Sequence, residues 1–216
     1  GFTWHWYEVL FADEQMLTAA WNSLIIGVSA SAVSTVLGTM AGVALYKYKL
    51  RLLPILVLTP IAIPEILMGV SLLIFFVLLN VTLGMLSITL AHIAFCIGFV
   101  AIVVRSRLSG MDESLTEAAR DLGATQWQAF RLVTLPLIMP GIVAGALMAF
   151  TLSIDDFVIT FFTAGVDATT LPLQIYSMIK IAVTPEVNAV STLLMVVTLL
   201  LIVIASRLSP GALRGE

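Results

Sequence analysis

Three carboxylates and one imidazole lie inside runs that otherwise hold mainly Leu, Ile, Val, Phe and Ala: Glu65, the adjacent Asp155 and Asp156, and His92. Ser153 stands just ahead of the acidic pair. A charge in such surroundings costs about 3 kcal/mol or more unless it meets water or a partner, so each residue calls for a role or a bond. Carboxylates spaced along an apolar route can offset the desolvation of ammonium groups. Glu65 has a second reading, as a hydrogen-bonded carboxyl that holds a kink. Asp155 and Asp156 also read as a solvated helix end. Successive helical residues point about 100° apart, so at most one of the pair faces a central route squarely. His92 has no second His or Cys at ligand spacing and reads as a packed, hydrogen-bonded histidine rather than a metal ligand or proton relay. Cys96 is the only cysteine, which excludes an intrachain disulfide and a cysteine metal cluster. No nucleophile converges with an acid and a base, and no G-x-x-x-x-G-K-[ST] phosphate loop is present, so the chain reads as a non-catalytic one.

A different chemistry resides in residues 114–136, SLTEAARDLGATQWQAFRLVTLP, the only long polar segment between strongly apolar runs. Ser114 followed by Glu117 predicts a capping box, in which both side chains satisfy free amides at a helix start. Gly123 supplies a left-handed stop. Thr125 and Gln128 repeat the capping pattern for a second short helix through Trp127, Phe130 and Leu132, which ends where Pro136 opens the next apolar run. Ala118 and Ala119 keep one face low in relief, and Arg120 and Asp121 give it polar specificity. Helix, turn and helix form a compact projection suited to docking; an amphipathic loop lying on its own bundle is the plainer alternative.

The elements that position these residues follow from composition. With 60% hydrophobic and 11% charged residues in 216 and a mean hydropathy of +1.10, the chain has more apolar surface than one soluble core can hide. The fold class is all-α, a polytopic membrane helix bundle. Five runs reach the roughly 20 residues a span needs, at 20–46, 53–79, 85–104, 135–153 and 187–206. Gly27, Ser31, Ser34, Gly38 and Gly42 let the first approach a neighbour closely. Pro60 and Pro64 break the second, with Glu65 near mid-membrane. Lys47, Lys49, Arg51, Arg105, Arg107, Arg120, Arg131, Arg207 and Arg214 fall on one side, leaving Lys180 alone opposite, which makes the basic side cytoplasmic.

The expected organisation is an outer segment at 1–19, a transmembrane unit at 20–206 and a cytoplasmic tail at 207–216. The unit carries a cytoplasmic loop at 105–136 and an outer loop at 154–186. That outer loop contains a short interfacial helix at 173–181. An outer amino terminus with five spans behind it also predicts a sixth span upstream. The formal net charge of -3 comes with no basic patch for nucleic acid. Glu8, Asp13, Glu14, Asp167 and Glu186 join the three carboxylates on the outer or membrane side, a balance suited to a cationic cargo.

Glu117, Ala118, Ala119, Gly123, Val133, Leu135 and Pro136 resemble the EAA loop of permease subunits in bacterial ATP-binding-cassette importers: EAA, three residues, Gly, nine residues, Ile, one residue, Leu-Pro. Only Ile is altered, to Val133. The chain is similar throughout to the permeases of spermidine and putrescine importers, particularly the second of each pair, through GVALYKYKLR (42–51), FTLSIDD (150–156), LPLQIYSMIK (171–180) and TPEVNA (184–189). The resemblance implies a type I importer transmembrane domain in the bacterial cytoplasmic membrane. It implies a coupling helix at Glu117, Ala118, Ala119, Arg120, Asp121 and Gly123, and a substrate pathway with Glu65, Ser153, Asp155 and Asp156. The implied partners are a second permease, two copies of an ATPase that binds Mg-ATP, and a secreted polyamine-binding protein. Importers of ferric iron, thiamine or an aminophosphonate share the loop. An ion-coupled secondary transporter using Glu65 would leave it without a purpose.

Overall fold

The computed structural model describes residues 4–48, 51–181 and 185–208. Lys49, Thr184, Arg214 and the predicted tail from 209 onward lie outside the described residues. Every element among those described is helical. A short helix, α1 (His5–Ala12), leads into α2 (Glu14–Lys47), 34 residues long. This helix begins before the predicted start at 20 because the Asp13 carboxylate accepts the free amides of Gln15 at 2.9 Å and Met16 at 3.2 Å. Its small residues fulfil their expected purpose. A Cβ on Gly38 would fall 2.6 Å from Val100 Cβ, so only glycine admits the central helix at this distance.

The second apolar run divides as predicted, into α3 (Leu52–Ala62) and α4 (Glu65–Leu78), bent by 110°. Pro60 is carried within α3, whereas Pro64 makes the break. A residue before proline is pushed from helical to extended backbone, and Ile63 adopts φ -79 and ψ 133. Next comes α5 (Met85–Ser109), the central helix. It has 56% of its most apolar stretch buried, against 28% for α2. Phe95, Cys96, Val100 and Val104 of α5 share a cluster with Met68 and Phe76 of α4. Lipid is as apolar as these side chains, so close packing rather than exclusion of water holds them together.

The polar loop holds α6 (Ser114–Asp121) and α7 (Gln126–Ala129). A π segment (Phe130–Thr134) leads from α7 into α8 (Leu135–Asp155). The second loop helix therefore does not end at Pro136 as predicted. Leu135 donates its amide to the Phe130 carbonyl, and the widened turn carries one helix from Gln126 through Pro136 to Asp155. Beyond it lie α9 (Val158–Thr163), α10 (Leu171–Ile181) and α11 (Pro185–Leu208). α10 matches the predicted helix, starting at Leu171 rather than 173. α9 was not expected in what read as a loop; it packs on α4 and α5.

By length and composition α2, α5 and the Gln126–Asp155 helix can each cross a membrane, and the α3–α4 pair counts as a fourth crossing. The fifth predicted run is α11, 24 residues long, with its described apolar stretch at Pro185–Leu200. One end of the bundle gathers the close of α2, the close of α5, α6 and α7 around a shared cavity. At the other end Asn22 Nδ2 donates to the Thr169 carbonyl at 3.0 Å, and the Leu171 amide donates to Ser23 Oγ at 2.8 Å.

Candidate functional site

At the basic end the polar loop is built differently at its two starts. The Asp112 carboxylate accepts the Ser114 amide at 2.9 Å, so α6 is opened by Asp112 and not by the predicted pairing of Ser114 with Glu117. An aspartate two residues ahead closes a tighter turn than serine can, and it takes the first free amide. Bonds from the Ser114 side chain and backbone hold the Asp112 carboxyl below its ordinary range. The second start follows the prediction. Gln128 donates its amide to Thr125 Oγ1 at 3.3 Å, and the Thr125 amide reaches Gln128 Oε1 at 2.8 Å. Between the helices Gly123 stands at φ +93, the left-handed stop expected of it.

Glu117, Ala118, Arg120, Asp121 and Gly123 are exposed and Ala119 is half-buried. Two apolar side chains join them, Leu122, which the sequence reading did not single out, and Trp127, read there only as part of the second helix: Leu122 is 90% exposed and Trp127 66%. Trp127 stacks on Phe130, and Lys47 Nζ lies 5.8 Å from the Phe130 ring. Tyr46 donates its hydroxyl to the Glu113 carboxylate, tying the close of α2 to the start of α6. Behind α6 lies a cavity of about 430 Å³ lined by Lys47, Glu113, Glu117, Arg120 and Phe130, among others.

The four predicted pathway residues separate into two pairs. Glu65 is the first residue of α4 and exposed at the break, and Asp155 is the last residue of α8 and also exposed. Ser153 and Asp156 are turned inward. Ser153 is 5% exposed with Oγ 2.7 Å from His92 Nδ1. Asp156 has a side chain 5% exposed and 3.2 Å from His92 Nε2. It also accepts the Thr160 amide and hydroxyl, both at 2.8 Å. His92 is the packed, hydrogen-bonded histidine expected, and Thr160 Oγ1 lies 2.9 Å from its Nε2. The aspartates are neighbours, yet α8 stops between them: Asp155 ends it and Asp156 turns back to cap α9. Two more carboxylates, Glu14 and Asp167, line a groove of about 430 Å³ together with Asn22 and Gln174.

Compared with known proteins, residues 16–212 match the binding-protein-dependent transport system inner membrane component. The chain belongs to this family. As such an inner-membrane component it is 40% identical, over 219 aligned positions, to the spermidine/putrescine transport system permease protein PotC of Escherichia coli K12, covering 100% of this chain and 83% of the relative. The putrescine transport system permease protein PotI of the same organism is 42% identical over 205 positions, covering 90% of this chain and 73% of that protein. Among solved structures, an inward-facing form of the MetNI methionine ABC transporter superposes with a TM-score of 0.78 at 23% identity. That match covers 94% of this chain and all of the other, and it establishes the shared fold of the inner-membrane component.

Proposed function

We propose that this inner-membrane component forms half of an ATP-driven import route for polyamines of the spermidine and putrescine class. The observation that carries the reading is Glu65, an exposed carboxylate at a 110° break between two apolar helices. The carbonyl end of α3 faces the same break, and a helix carboxyl end attracts cations. Pro64 has no amide to give the last turn of α3, which leaves carbonyl oxygen free there. A multivalent ammonium cargo is matched by this pairing. Asp155 at the far end of α8 offers a second weak contact, and serial weak contacts let a cargo leave again. The groove holding Glu14 and Asp167 supports an acidic entrance on the side where the secreted binding protein delivers its load. The likeness to PotC over the whole chain supports the same cargo.

The basic end is the cytoplasmic one in this reading. Glu117, Ala118, Ala119, Arg120, Asp121 and Gly123 sit in a groove of the ATPase, with Leu122 and Trp127 as apolar anchors. Two ATPase copies bind Mg-ATP, and a second permease completes the route. Uptake of radiolabelled spermidine by the reconstituted importer tests this. The expected result is saturable, ATP-dependent uptake that unlabelled putrescine competes for and that Glu65→Gln lowers about tenfold. Uptake indifferent to Glu65→Gln, or specific for ferric iron, thiamine or an aminophosphonate instead, overturns it.

A further inference from the structure

A buried polar cluster joins three helices, α5, α8 and α9. Thr160 has one hydroxyl proton and gives it to Asp156 Oδ2 at 2.8 Å, so its oxygen receives a bond from His92 Nε2 at 2.9 Å. Nε2 therefore carries a proton, which also points towards Asp156 at 3.2 Å. Ser153 Oγ lies 2.7 Å from Nδ1, so both ring nitrogens have a partner. Ser153, His92 and Asp156 have the composition of a hydrolytic triad, but all three are buried out of a substrate's reach. What the cluster does is bind α5, α8 and α9 to one another.

The six-residue α9 is too short to hold its shape alone and depends on its anchors. Asp156 caps its start, taking the amides of Ile159 at 3.4 Å and Thr160 at 2.8 Å. Ser87 of α5 donates to the Thr163 carbonyl at its close, at 2.8 Å. Between the anchors Phe162 lies across α4: a Cβ added to Gly69 would meet Phe162 Cδ2 at 2.7 Å. Met68 is buried in one cluster with Ile159 of α9 and Phe95 of α5. α4 thus rests on α9 about one turn beyond Glu65, at Met68 and Gly69, and α9 is held to His92 through Thr160 and Asp156.

We infer that His92 is a positioning residue for Glu65, acting through α9. Its importance for transport rests on the reading of Glu65 as a pathway carboxylate; its effect on where residue 65 sits does not. The experiment uses the complete importer in lipid vesicles, with Glu65→Cys introduced. The readout is the rate at which 2-aminoethyl methanethiosulfonate, a small cationic thiol reagent, modifies that site, followed by mass spectrometry of this chain. Native Cys96 is fully buried and serves as the unreactive reference.

His92→Ala and Gly69→Ala are each expected to change the rate at least twofold, and the double variant to change it no more than the larger single effect. The two residues would then act through one element. A change below twofold for His92→Ala, or effects that multiply in the double variant, overturns the inference. Should His92→Ala fail to assemble, Thr160→Val is read by the same criteria, because it nearly keeps the shape and removes the two bonds of the hydroxyl, to His92 and to Asp156. Spermidine uptake by the importer without these changes separates the two readings. Its absence sinks the polyamine assignment, while the labelling rates still decide the role of His92.

Discussion

Tyr46, in the last turn of α2, donates its hydroxyl to the carboxylate of Glu113, the residue before α6. This bond fastens the projecting loop to a helix that spans the bundle, and Lys47 over Phe130 fastens the other loop helix to the same turn. Tyr46→Phe keeps the ring and removes the bond. It is expected to leave the importer assembled, to lower uptake severalfold and to reduce the uptake achieved per ATP hydrolysed. Measuring both rates in one vesicle preparation checks this, and an unchanged ratio refutes it.

Gly123 stands at φ +93 with open space around the position of a Cβ. Substitution therefore acts through backbone strain alone. Gly123→Ala is expected to destabilise the turn by about 1 kcal/mol, with Gly123→Asn milder because asparagine tolerates the left-handed region. ATPase binding to the permease pair is the measurement, and equal losses for the two variants would contradict it.

Gly38 presents the opposite case, since its backbone is ordinary and its surroundings full. A Cβ there would lie 2.6 Å from Val100 Cβ and 2.9 Å from the Ile97 carbonyl oxygen. Gly38→Ala is expected to lower stability by about 1–3 kcal/mol, the range for forcing extra volume into a packed interior. Thermal unfolding of the detergent-solubilised complex reports it as a lower midpoint.

Asp155 and Asp156 are adjacent and identical in type, yet their amide variants should diverge. Asp155→Asn removes an exposed charge and is expected to lower polyamine uptake while leaving yield unchanged. Asp156→Asn keeps the size of a side chain that caps α9 but replaces one acceptor with a donor facing the Thr160 amide and hydroxyl. Its expected outcome is a loss of assembled complex. Yield on membrane extraction and uptake per assembled complex distinguish the two.

The features legible in advance were those whose cause is local. Pro64 acts on the residue beside it, Gly123 on its own backbone, and Thr125 on an amide three positions away, so each appeared where expected. Asp112 displaced Ser114 as the opener of α6 because two adequate caps compete there and their geometry decides. The π segment before Pro136 leaves no mark in composition, since FRLVT suits either helix. The inward turn of Ser153 and Asp156 depends on His92, which is 61 positions from Ser153, and on α9 folding back within a segment that looked like loop. Apolar periodicity located the helices but could not show which of them share a buried polar bond.

The π segment has a mechanical meaning once the ends of its helix are compared. From Leu135 to Asp155 the 21 residues of α8 form a rod about 32 Å long. If the softer π turn is the fulcrum, a tilt of about 10° there swings Asp155 by about 5 Å, roughly one helical pitch. The short arm is α7, inside the polar loop, and the long arm ends at a carboxylate. On that condition a small push at the loop becomes a longer stroke at Asp155, with Phe130–Thr134 as the fixed point.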